Sequence, residues 1–216
     1  MKVNCVLKIL TPQGYTSQLP PLPALLRQES RLLFITSLKA PKAEQLRVLA
    51  YFSVWAELAA IPVRTREPLL GHLRLAWWRD GLSGTHSDAH PALEALRSLN
   101  DDGAALLPLC DVVAAILDGA LSREEAARGL LGEVFAHLAG RCGGDAAIAR
   151  QLGAAVQLAP FDVQAASALA PEPLNQRLFS GSCAFLDIPR LWLCASLRGR
   201  RQGHHSVGLR ELWAAV

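Results

Sequence analysis

The chain has 216 residues, 51% of them hydrophobic and 19% charged, with a formal net charge of +3. That length suits one domain with a sizeable core. The small positive charge, with no basic stripe interleaved with aromatics, argues against a nucleic-acid partner. Five cysteines, at positions 5, 110, 142, 183 and 194, are odd in number and show no metal-ligand spacing. Free thiols in a reducing compartment are expected rather than a disulfide framework.

Much of the apolar excess is Ala and Leu, both strong helix formers, so an all-α fold is expected. The first ten residues are interrupted by Asn4 and Lys8 and followed by Thr11-Pro12-Gln13-Gly14, which argues against a secretory signal. Residues 1–22 read as a loop-like lead-in and 23–216 as one helical domain. No uninterrupted apolar run reaches the roughly 20 residues that cross a bilayer, so no transmembrane segment is expected. The expected location is cytoplasmic, with any membrane contact peripheral.

A first helix is predicted over Leu25–Ser37. A long one follows over Ala43–Ile61, where Leu46, Leu49, Ala50, Val54 and Leu58 recur at three- and four-residue steps, and Pro62 is expected to end or kink it. Pro68–Leu82 is the next helix, with proline in the first turn. A short helix is predicted over His90–Leu99. Ala104–Leu117 is apolar on most sides and is expected to be deeply buried. Ser122 is a good N-cap with Glu124 and Glu125 in the first turn, opening a helix to about Ala139. Another runs from Gly143 to Leu158. Residues 160–190 hold short helices at most, Leu191–Leu197 is a last apolar piece, and a basic break precedes Leu209–Val216.

The run Gly71-His-Leu-Arg74-Leu-Ala-Trp77-Trp78-Arg79-Asp80 resembles the G-x-x-R-x-x-W-W-R-D segment of the squalene/phytoene synthase family. Gly153-Ala-Ala-Val-Gln157-Leu is similar to a second family segment, with Gln157 on the family glutamine. The resemblance covers roughly Arg27 to Gly199 and implies an isoprenoid-synthase-like helical bundle, trimmed between residues 100 and 180. Catalytic members condense two prenyl diphosphates with Mg²⁺ held by two D-x-x-x-D motifs on facing helices. The four-residue step places both carboxylates on one helix face.

Carried onto this chain, the first motif falls at Ala59 and Val63 and the second near Gln164 and Ala168. None of the four is a carboxylate. The resemblance therefore implies no catalytic residue, no metal ligand and no cofactor. Trp55-Ala-Glu57-Leu-Ala59 is similar to a helix of a non-catalytic branch that includes a mitochondrial complex I assembly factor. The implied function is a binding one: an assembly or accessory protein beside a membrane complex, or a carrier of isoprenoid or lipid. The location implied is peripheral to an inner membrane, or the matrix if the protein is mitochondrial. The alternative is an active prenyltransferase whose acids come from elsewhere, and only then is Mg²⁺ expected.

Arg64, Arg66 and Arg74 are candidates for an anion or lipid site, with Arg64 and Arg66 read as loop residues. Gly71, Trp77, Trp78, Arg79 and Gln157 are read as scaffold. Adjacent tryptophans on a helix point about 100° apart, so at least one of the pair is expected in interhelix packing. Arg74 and Trp78 share a face, which suits a cation–π or snorkelling contact. Glu133 and His137 have ligand-like spacing but read as a helix-surface pair. Asp111 and Asp118 read as solvated acids. His204 and His205, with Arg200, Arg201 and Arg210, form a basic cluster read as a solvated loop.

Overall fold

Helices built from Ala and Leu must bury an apolar stripe against one another, and here that produces a helical assembly around a single core. The computed structural model describes residues 22–85, 90–101, 103–174 and 176–201. Every regular element among them is helical. The lead-in to residue 21, the histidine pair and the segment Leu209–Val216 lie outside the described residues.

The first predicted helix is two. α1 (Leu22–Glu29) and α2 (Arg31–Leu38) are separated by Ser30, whose extended backbone breaks the run. Its hydroxyl accepts from the Leu33 N–H at 3.3 Å and so caps α2. The buried amide of Gln45 donates to the carbonyls of Leu38 and Ala40, fixing the turn into α3.

α3 (Gln45–Arg64) is the central helix, with Val48 through Ala56 and Leu58 buried on all sides. It is long and apolar enough to cross a bilayer, contrary to the reading of the sequence. Yet 67% of its most apolar window is buried within the protein's own core, which accounts for the composition. It also continues past Pro62 to Arg64. Proline so close to a helix end forfeits one hydrogen bond, and Thr65 still donates to the Ile61 carbonyl.

α4 has the predicted bounds, Pro68–Leu82, and α5 spans Pro91–Ser98. α6 (Leu107–Leu117) follows a short 3₁₀ turn at Ala104–Leu106. It is not deeply buried as expected: only Leu109, Cys110 and Val113 are enclosed, and the other face lies near the surface. α4 packs on α6 through Gly71, where an added Cβ would stand 2.9 Å from Leu117 Cδ1.

α7 (Arg123–Ala127) opens at Ser122, the predicted N-cap, and Glu125 completes a capping box with it. It passes through a π turn at Arg128–Gly132 into α8 (Glu133–Arg141). α9 (Ala146–Leu158) crosses that turn at close range. A Cβ on Gly153 would lie 2.5 Å from the Leu131 carbonyl oxygen, so only glycine fits there. The side-chain carbonyl of Gln157 accepts from the Leu131 N–H at 3.0 Å, locking the seam.

α10 (Val163–Leu169) packs on α9 and is capped by Asp162, which accepts from Ala165 N–H at 2.9 Å. A 3₁₀ turn at Gly181–Leu186 leads into α11 (Asp187–Arg201), longer than the predicted piece. A buried ion pair anchors its start. Arg190 Nε lies 3.0 Å from Asp187 Oδ1, and the same oxygen accepts from the Leu178 and Phe179 N–H groups.

Candidate functional site

The end of α3 and the body of α4 meet around a cleft of about 200 Å³. α3 contributes Glu57, Ala60, Ile61 and Arg64. From α4 come Arg74 and, about one helical turn further on, Trp77 and Trp78. The site thus has an apolar floor, an aromatic wall, two guanidinium groups and one carboxyl.

The two tryptophans divide their roles. Trp78 is 5% exposed and belongs to the core, while Trp77 is half-buried at the cleft. Their rings meet edge to face with centroids 5.2 Å apart. His90 seats on Trp78 at 4.7 Å and caps α5, its Nδ1 accepting from the Ala92 N–H at 3.2 Å. That bond requires Nδ1 to be unprotonated. Burial also holds the imidazole below its ordinary value, because the charged form loses water.

Arg64 is the last residue of α3 rather than a loop residue. Its guanidinium reaches Glu29 of α1, with one nitrogen 2.7 and 2.8 Å from the two carboxylate oxygens. Arg74 donates to the Thr65 hydroxyl at 3.2 Å. Arg66 is exposed in the connection between the helices and does not line the cleft. Glu57 is pushed above the usual carboxylate range, chiefly by burial, with Arg64 opposing and Glu29 reinforcing the shift.

The four positions onto which the resemblance would carry metal ligands do not line this cleft, although Ala60 and Ile61 between the first two do. Ala59 is half-buried on α3, Val63 is 60% exposed, and Gln164 and Ala168 are exposed on α10. Among the described residues no group of three or more His, Cys, Asp or Glu converges. Three acids weighed as alternatives have partners of their own. Asp111 pairs with Arg79 and Asp118 with His72, each linking α4 to α6. Asp162 caps α10.

Glu133 and His137 do not pair with each other. Glu133 holds Arg150 of α9 with Nε–O and Nη–O distances of 2.6 and 3.0 Å. His137 lies 3.2 Å from the Tyr51 hydroxyl, which also donates to Asp101 at 3.0 Å. Arg47 donates to the same Asp101 oxygen at 2.9 Å. Burial opposes charge on Asp101, but the Gly103 N–H, Tyr51 and Arg47 prevail and hold it below its ordinary value.

Sequence reasoning found Arg64, Arg74, Trp77 and Trp78 but not Glu29 or His90. The cap signal at His90-Pro91 was available for the latter, whereas Glu29 meets Arg64 only through tertiary packing. Comparison with protein-family models, with curated proteins and with solved structures found no match to this chain.

Proposed function

We propose that this protein acts by binding rather than by catalysis, as a squalene/phytoene synthase-like helical scaffold in an assembly or accessory role beside a membrane complex. In this reading the α3–α4 cleft holds an amphipathic anion, an isoprenoid or lipid with a phosphate or carboxylate head. The observation that carries it is the composition of the cleft. Arg64 and Arg74 supply cationic contacts for a head group, while Trp77 and Ile61 offer apolar surface to a chain. The residue types at 59, 63, 164 and 168 support the non-catalytic part, because none can ligate Mg²⁺ through a carboxylate. The Gly71–Asp80 segment supports the scaffold.

Two measurements test the reading. Native mass spectrometry of the purified protein should show retained lipid, lost in Arg74→Ala and Trp77→Ala. Incubation with prenyl diphosphates and Mg²⁺ should release no diphosphate above background. Turnover that is abolished by Asp111→Asn or Asp118→Asn would replace this reading with the prenyltransferase one.

A further inference from the structure

α4 is apolar on two opposite faces. Gly71, Leu75, Trp78 and Leu82 point into the protein and are buried. On the outward side Leu69, Leu73 and Trp77 follow one another at four-residue steps, with Leu70 beside them. Leu69 is 70% exposed and Leu73 60%, and Val63 at the end of α3 is 60% exposed. Four large aliphatic side chains therefore stand in water on one short corner of the molecule, which is uncommon for a surface without a partner.

Charge says what the partner is. The exposed cations on this corner are Arg66 and Arg74, while Arg64 is already matched by Glu29. Glu67 is an exposed carboxylate beside them, and Asp118 is held by His72. Long arginine stems beside exposed leucines suit a boundary where the stem lies on hydrocarbon and the head meets phosphate. A half-buried Trp77 on the same face suits that boundary too. A second copy docked face to face would set Arg66 and Arg74 against their own equivalents, which charge repulsion opposes.

We infer that the outward face of α4, with Val63, Arg66 and Arg74, is a docking surface for an anionic lipid bilayer. Leu69, Leu70 and Leu73 enter the acyl boundary, and the arginines contact headgroup phosphates. The surface lies at the mouth of the cleft, so a lipid could pass between bilayer and cleft without crossing bulk water. The inference does not require the cleft to hold a ligand.

Co-sedimentation of the full chain with vesicles tests it, comparing phosphatidylcholine alone with phosphatidylcholine containing phosphatidylglycerol. The protein should bind the anionic vesicles, and Leu69→Glu/Leu73→Glu should lower the bound fraction at least tenfold. Arg66→Gln/Arg74→Gln should weaken binding severalfold and remove its dependence on phosphatidylglycerol and on salt. Both positions 69 and 73 are exposed, so circular dichroism and the melting temperature of that variant should match the parent. Equal binding by parent and Leu69→Glu/Leu73→Glu overturns the inference, as does an absence of vesicle binding. A parent dimer that becomes monomeric in Leu69→Glu/Leu73→Glu, seen by light scattering, also overturns it, because the face is then covered by a second copy. Retained lipid without vesicle binding defeats this inference alone, and vesicle binding without retained lipid defeats only the cleft reading.

Discussion

Replacing Trp78 with alanine removes a core side chain and is expected to destabilise the protein by about 3–5 kcal/mol. The same change at Trp77 strips one wall of the cleft and should cost far less stability, because that ring is already half in water. Urea unfolding of the two variants checks the difference, and lipid retention should fail in Trp77→Ala even where the fold survives. The sequence shows that adjacent tryptophans cannot share one environment, but it does not show which faces inward. That choice is made by Leu75 and Leu82, which lie on the Trp78 side and commit α4 to the core. Arg64 was visible as a cation and misplaced as a loop residue. Pro62 suggested a helix end, whereas in the folded chain the helix runs on to Arg64, with Ile61 buried and Arg64 paired with Glu29.

At the scale of elements, local chemistry was read well and tertiary chemistry poorly. The bounds of α4 and the capping box of α7 follow from proline at a first helical position and from Ser122 with Glu125. The break at Ser30 was missed because the residues on both sides are equally helical, and only a side-chain cap separates them. α6 was expected in the interior from its composition, yet among the described residues only Leu109, Cys110 and Val113 of it are enclosed. Apolar content alone does not say what packs against it. The buried Asp187–Arg190 pair joins α11 to the loop before it, and its backbone partners at Leu178 and Phe179 are not evident in the sequence. The π turn was equally hidden, and it creates a sharp expectation. Gly153→Ala would press a methyl group against the Leu131 carbonyl and the Gly132 Cα, which are backbone atoms that cannot swing aside. A loss of about 3 kcal/mol is expected from this overpacking, read as a lower urea midpoint. Gly140→Ala, where an added Cβ meets nothing within 4 Å, is the control and should leave the midpoint unchanged or raise it slightly.

For the whole molecule, the all-α fold was legible from Ala, Leu and helical periodicity, whereas the arrangement of its helices was not. Stability as a function of pH is a property at this scale. His90 and His137 both protonate in the folded protein only below the ordinary histidine value of 6.5, His90 through burial and His137 through burial and Arg141, opposed by Asp101 and aided by Arg47. The unfolded chain takes up those protons first, so stability is intact above about pH 6.5 and falls as pH drops through that value. Asp101, held below its ordinary value, adds a second loss only at still lower pH, in the carboxylate range. Urea midpoints between pH 7.5 and 5 should therefore decline, and His90→Asn should reduce the decline, since asparagine caps α5 without titrating. An unchanged decline in that variant would sink the assignment. The seam between the π turn and α9 carries a further consequence for how the molecule breathes. The Leu131 amide is held by a side chain 26 positions away rather than only by its own helix. Its hydrogen exchange thus follows separation of two helices, not fraying of one, so a single backbone proton serves as a clock for opening of the bundle.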